Sequence, residues 1–302
     1  MPTTATLTRI EKVLDYIHEH LDEPINVTNL AEKSCWSRWQ FQRVFGNATG
    51  LTVAQYVREL RLSNAAELLL ENQSRHLEIA LACGFESEIS FSRAFKQMFQ
   101  CSPREYRQRG KRIGLRTPLK YSTPKRTWIT PTAFTQIRIE NRAAFSITGS
   151  SDWIYGPFSE KPDFIERVPQ VWRALWQAIE TRNINCLMDN PIGVIDNRKQ
   201  TERPEQLLYW AGYPSEAQQK RMEILNIPEQ EYAVIPVHGE ISALESAVEW
   251  FIGHWLPESN YSSIAGFELE LYSPNYDPAS KDSYMEYWLP IEPRRIPDSR
   301  KF

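Results

Sequence analysis

The chain has 302 residues, 41% of them apolar and 24% charged, with a formal net charge of −3. That apolar share excludes a disordered chain, no run approaches the roughly 18 apolar residues of a membrane span, and the length suits about two domains with cores of their own. Cys35, Cys83, Cys101 and Cys186 fall in no metal-ligand spacing, and the first 20 residues lack the layout of a secretory signal. Reduced thiols, a cytoplasmic location, and neither metal nor cofactor are therefore expected.

The small net charge is a sum of opposites. Residues 1–126 carry 19 Lys+Arg against 13 Asp+Glu, a net of +6, whereas residues 127–302 carry 16 against 25, a net of −9. Trp36 and Trp39 lie in the basic part, and the other eight of the ten Trp lie in the acidic part. A basic module predicts a polyanion partner, and an acidic, aromatic-rich one predicts a cationic or planar ligand. At the divide, Arg107 to Arg126 holds eight Lys or Arg, no acid, two Gly and two Pro, which reads as an exposed basic linker. The expected boundaries are residues 1–108, a linker over 109–127, and residues 128–302.

In chain order, Leu7, Ile10, Val13, Leu14, Ile17 and Leu21 have helical spacing, closed by Pro24. Asn26-Val27-Thr28-Asn29-Leu30-Ala31 opens a short second helix. Ser37-Arg38-Trp39-Gln40 has the form of a capping box, in which hydroxyl and amide satisfy free N–H groups at a helix start. Phe41, Val44, Phe45 and Ala48 then make an apolar stripe, leaving Arg38, Trp39, Gln42 and Arg43 on the other face. That is the layout of a helix-turn-helix.

The unit recurs at a shift of 50 residues: Ser37 matches Ser87, Phe41 Phe91, Arg43 Arg93, Phe45 Phe95, Thr52 Ser102 and Tyr56 Tyr106. With a one-residue offset, Leu30-Ala31 matches Ile79-Ala80 and Trp36 matches Phe85. Ser102-Pro103-Arg104-Glu105 is a further capping box with Pro at the first helical position. Between the copies a helix from about Val53 to Glu71, capped by Thr52, would span about 28 Å. That spacer suits two recognition helices about one duplex turn apart on an asymmetric stretch of double-stranded DNA.

The duplicated unit resembles the AraC/XylS family of bacterial transcription regulators over about residues 7–108. The resemblance rests on Ser37 to Phe45, Tyr56-Val57-Arg58, Arg61-Leu62, Ala80, Gly84-Phe85, Phe91 to Lys96 and Ser102 to Arg107. It implies base reading by Trp39, Gln42 and Arg43, and RNA polymerase as a protein partner. Arg43 suits guanine, Gln42 adenine, and Trp39 a thymine methyl. The second copy departs from the pattern with Glu88 and Ile89, so Ser92, Arg93 and Lys96 are expected mainly to hold the DNA backbone. Cys35 replaces the glycine usual in the first turn.

Beyond the divide, strands are predicted at Phe134–Ile139 and Ala144–Thr148, followed by a helix carrying Ile165, Val168, Val171, Trp172, Leu175, Trp176 and Ile179. Pro191–Asp196 and Gln206–Tyr213 read as strands. Tyr232–His238 as strand, Ala243–Trp255 as helix, and Gly266–Tyr272 and Tyr284–Ile291 as strands repeat the order. The fold class expected for the whole chain is an all-α double helix-turn-helix domain followed by an α+β domain of tandem βαββ repeats, an antiparallel sheet with helices.

The second half resembles the GyrI-like effector-binding family over about residues 128–292. The match rests on Val171-Trp172-Arg173-Ala174-Leu175-Trp176, Pro191-Ile192-Gly193-Val194, Tyr209-Trp210-Ala211-Gly212-Tyr213, Tyr232 to Pro236, Trp255 to Ser259, Phe267 to Tyr272 and Met285 to Ile291. The resemblance implies a small, amphipathic or cationic effector held by a Glu among aromatics. Strand alternation puts Glu268, Glu270 and Tyr272 on one face and Phe267, Leu269 and Leu271 on the other. If the leucine face packs on the helices, Glu270 and Tyr272 face the groove between the two repeats in which the resemblance places the effector. Glu270 is the first candidate contact and Glu286 a second, with Trp153, Tyr155, Trp176, Tyr209 and Tyr213 as candidate walls. The function expected is therefore an effector-controlled DNA-binding regulator, not an enzyme. The alternative is a hydrolase or drug-sequestering activity in the second half.

Overall fold

The first apolar stripe becomes α1 (Thr4–Glu19), which buries Ile10, Val13, Leu14 and Ile17. The computed structural model describes residues 4–121, 134–156, 159–181, 190–198, 203, 206–214 and 222–294. Among these the chain divides into two units, residues 4–121 with 134–140, and residues 141–294.

In the first unit α2 (Val27–Lys33) and α3 (Arg38–Thr49) form one helix-turn-helix, and α5 (His76–Ala82) and α6 (Glu88–Phe99) form the other. The long α4 (Val53–Glu71) joins them and α7 (Pro103–Arg109) follows. Reciprocal capping boxes are present at Ser37/Gln40, Thr52/Gln55 and Ser102/Glu105. Each typically contributes about 1 kcal/mol. The repeat extends to ring packing. Phe41–Phe45 and Phe45–Tyr56 centroids lie 5.8 and 6.2 Å apart, and the matching Phe91–Phe95 and Phe95–Tyr106 both lie at 5.4 Å. Fully burying each such ring contributes about 1.5–3 kcal/mol.

The basic stretch is not an exposed linker over its described part. Residues 113–116 form β1 (Ile113–Arg116), and residues 120–121 form β2 (Lys120–Tyr121). Leu115 and Leu119 are buried. Hydrogen bonds tie the stretch down: Arg116 N–H to Ser63 Oγ at 2.8 Å, and the Arg112 guanidinium to Glu67 at 2.9 Å. Charge composition concealed two apolar side chains and a set of unpaired backbone donors that found partners on α4 and α7. Residues 122–127 lie outside the described residues.

The segment Phe134–Ile139, expected to open the second domain, belongs instead with the first unit. There β3 (Phe134–Thr135) pairs with β2, and β4 (Arg138–Arg142) pairs with β1 through Leu115↔Ile139. Phe134 packs in one core with Ile10, Phe41, Phe45, Tyr56 and Leu119.

The second unit runs β5 (Phe145–Tyr155), α8 (Phe164–Thr181), β6 (Ile192–Asp196), β7 (Gln206–Pro214), β8 (Glu223–Ile227) and β9 (Gln230–His238). It continues with α9 (Ser242–Trp250), a π-helical turn over Phe251–Trp255, β10 (Tyr261–Ser263), β11 (Phe267–Tyr272) and β12 (Tyr284–Pro293). The antiparallel strand order is β9-β12-β11-β6-β7-β5-β8, with β10 on β12. Omitting β8 and β10, this is two βαββ repeats back to back, with β6 and β11 meeting at the centre.

One premise about its faces is reversed. Phe267 and Leu269 pack with Ile147, Ile192, Val194, Trp210, Ile227, Tyr232, Val234 and Trp288, and all of these are strand residues. A sheet that gathers its own side chains this way must curl around them. The helix α8 lies over the opposite face, where Trp172 Nε1–H donates to the Tyr209 hydroxyl at 3.0 Å. The carboxylate face of β11, and not the leucine face, is the one that meets a helix.

Candidate nucleic-acid interface and small-molecule site

In the first reading helix, α3, the stripe buries Phe41, Phe45 and Ala48 and leaves Arg38, Trp39, Gln42 and Arg43 exposed. Trp39 is 65% exposed. It is no core aromatic, and the Arg43 guanidinium lies 5.3 Å from its ring centroid. In α6, Arg93 and Lys96 are exposed and Ser92 is half-buried. Ile89, which matches Trp39 in the repeat, is 67% exposed. Sequence reasoning named Trp39 as an apolar reading residue but took Ile89 only as a departure, although the fifty-residue shift already aligned the two positions. Glu88 has a local role, at 3.9 Å from His76 Nδ1 and in the first turn of α6, where a carboxylate suits the helix dipole.

Two further details fix the heads. The turn before α3 places Cys35 at φ 57°, where the second copy has Gly84 at φ 73°. A Cβ is tolerated in that left-handed region at a cost. From α4, Arg61 donates to three backbone carbonyls: Leu21 at 2.7 Å, Glu23 at 2.6 Å and Gly84 at 2.9 Å. It thereby joins the end of α1 to the turn of the second head.

In the second unit, the buried Glu270 accepts hydrogen bonds from the Tyr209 hydroxyl at 2.8 Å and from the Tyr272 hydroxyl. Tyr209 is itself fully buried and is held by Trp172. The Tyr272 ring lies 5.9 Å from that of Trp172 and 4.7 Å from that of Tyr276. Trp176 is 46% exposed and donates to the Tyr213 hydroxyl at 3.3 Å, forming a rim. Gly193 completes the floor: a Cβ there would stand 2.5 Å from both Glu270 Oε2 and the Tyr209 hydroxyl. Burial pushes the Glu270 carboxyl above the usual carboxylate range, and the two phenols oppose that shift. Burial and the neighbouring Glu270 likewise push Tyr209 up.

Glu270, Tyr272, Tyr209, Tyr213 and Trp176 thus share one face. Trp153, Tyr155 and Glu286 do not. Trp153 pairs with Leu208 and Tyr155 with Gln206, in register on the leucine-face side. Glu286 pairs with Leu271 and is hydrogen-bonded by Tyr284 at 2.9 Å and by Trp288 at 3.0 Å. Aromatic identity pointed to Trp153 and Tyr155 and acidic identity to Glu286, and strand parity sets all three on the other face. Trp172 and Gly193, both inside motifs quoted above, belong to the site and were not singled out.

These two arrangements define a class: a DNA-binding regulator with paired reading heads and a separate small-molecule domain. Family comparison agrees, since residues 30–109 match the model of a helix-turn-helix domain and residues 135–292 that of a GyrI-like small molecule binding domain. The chain is 24% identical to the transcriptional regulator Rob of Salmonella typhimurium over 295 residues, covering 93% of this chain and 97% of that one. It is 25% identical to the right origin-binding protein of Escherichia coli K12, covering 90% and 93%. Over 100 residues it is 37% identical to the regulatory protein SoxS of Salmonella typhimurium, covering 33% of this chain and 94% of that one. The chain belongs to the AraC/XylS family of regulators, with a C-terminal GyrI-like domain. Among the described residues no helix is long and apolar enough to cross a membrane.

Proposed function

We propose that the protein is a one-component regulator that reads an asymmetric duplex site and is controlled by an amphipathic cation bound, and released unchanged, at Glu270. The reading rests on one observation above all. Glu270 is buried, and its partners among the described residues are two phenols and no cationic side chain. A carboxylate removed from water without a counter-charge favours a positive guest, and Tyr209, Tyr272 and Trp172 add ring faces at roughly 0.5–2 kcal/mol each. On the DNA side, Arg43 forks onto guanine, Gln42 pairs with adenine, and Trp39 and Ile89 meet thymine methyls, while Arg38, Ser92, Arg93 and Lys96 hold phosphates. RNA polymerase is the protein partner proposed alongside the DNA. The effector acts only if it binds one state of the regulator better than the other.

Two titrations test the reading. Ethidium, an aromatic monocation, should bind the wild-type protein, and Glu270→Gln should weaken it by about tenfold or more. A duplex selected from a random library should bind in a salt-dependent manner, and Arg43→Ala should weaken it by about tenfold. Unchanged ethidium affinity in Glu270→Gln would remove the assigned site. Duplex binding untouched by Arg43→Ala would remove the assigned reading head.

A further inference from the structure

Glu268 and Glu270 stand two residues apart on β11, so both side chains leave the same face, with Cα atoms about 7 Å apart. They turn to different partners. Glu270 reaches across β6, through the gap left by Gly193, to Tyr209 of β7. Glu268 accepts from the Tyr287 hydroxyl of the adjacent β12, and from Asn197 Nδ2 at 2.7 Å.

Tyr209 and Tyr287 hold matching places in the two repeats. Each lies on the third strand of its βαββ unit, and each is followed by a Trp, Trp210 or Trp288, that enters the core of the opposite face. Each of these phenols therefore meets one carboxylate of the single strand β11. Among the described residues neither carboxylate is paired with a cation, although Asp196 close by takes the Arg198 guanidinium at 2.9 Å. The Tyr276 hydroxyl, on the ring packed at a tilt against that of Tyr272, is also buried without a hydrogen-bond partner.

A single positive charge would neutralise one of these carboxylates, the buried Glu270 or the half-buried Glu268, and leave its neighbour without a counter-charge. We infer that the effector is a dication, with two cationic centres joined by an apolar body, one set on Glu270 among Tyr209, Tyr272 and Trp172, the other on Glu268 beside Tyr287. The Cα spacing of about 7 Å sets the scale of the separation between the two centres. The inference rests on the cation-binding reading of Glu270 and adds a second subsite to it.

The test is calorimetric titration of the full chain with two matched probes: 1,10-bis(trimethylammonio)decane, and its mono-quaternary analogue with a hydroxyl at the other end. The dication should bind about tenfold or more tightly than the monocation. Glu268→Gln should bring the dication to the level of the monocation while leaving the monocation within about threefold. Glu270→Gln should weaken both, and thermal melts of both variants verify folding. Equal affinity of the two probes, or a ratio unchanged in Glu268→Gln, overturns the dication inference and leaves the cation site standing. Failure of the folded wild type to bind either probe, or ethidium, overturns both.

Discussion

Tyr56 and Tyr106, fifty residues apart in the repeat, do the same work on the chain that follows it. Each hydroxyl accepts a backbone N–H from the basic stretch, from Leu119 at 2.9 Å and from Ile113 at 2.9 Å. The duplication thus supplied two pins as well as two reading heads, and the stretch after it closes onto both. Tyr56→Phe and Tyr106→Phe should each strand a buried donor and cost about 1–3 kcal/mol in denaturant unfolding of the first unit. A smaller effect on the double variant than the sum of the singles would show that the two pins act together.

The same Tyr56 hydroxyl is hydrogen-bonded with His18 Nε2 at 2.5 Å. Burial holds His18 down to about 4, against a raising influence from Asp15 and with help from Lys120. An unfolded His takes its proton near 6.5 and this one only near 4, so the unfolded chain binds the extra proton between those values. Stability of the first unit should fall as pH drops through that window. His18→Gln should flatten the fall, and urea midpoints at pH 7, 6, 5 and 4 measure it.

Cys35→Gly is expected to stabilise the first unit. The left-handed conformation at φ 57° strains a residue with a Cβ, and the matching Gly84 is free of that strain. Relief of the strain, less the greater entropy of Gly in the unfolded chain, leaves about 0.5–1 kcal/mol. Cys35→Ala keeps the Cβ and should show no such gain, which makes the pair of melting curves decisive.

At the proposed Glu270 site, stability and binding should move in opposite directions. A carboxyl raised by burial contributes stability below the ordinary carboxylate range and loses it as pH rises through its folded value. Glu270→Gln should therefore raise the melting temperature at pH 7.5, by roughly 2–4 °C for about 1 kcal/mol, while weakening cation binding. Gly193→Ala should weaken binding for a different reason: its Cβ would occupy the space of the Glu270 carboxylate, and no thermal gain should accompany it.

How much of this was legible in the sequence differs with the physics involved. Capping boxes, apolar stripes and the fifty-residue repeat are local patterns, and α3, α6 and their exposed faces followed from them. β11 was legible because alternation alone separates Glu270 from Leu269. Which of those faces a helix covers depends on how the sheet curls, and no local pattern in β11 carries that. Trp153 and Glu286 were misplaced because aromatic or acidic identity says nothing of register, whereas the pairings with Leu208 and Leu271 do. The basic stretch was misread because its eight charges outvoted Leu115 and Leu119, two residues whose burial depends on tertiary packing, as of Leu119 with Tyr56 and Phe134.

Arg61 gathers carbonyls from Leu21, Glu23 and Gly84 with one rigid, planar group. A swing of one reading head against the other would break bonds that no flexible tether could restore along the way. Phase along the duplex is then written into the polypeptide, and the operator must conform to it. Shifting one half of that operator by about five base pairs turns its face half a revolution away, out of reach of a clamp that cannot follow.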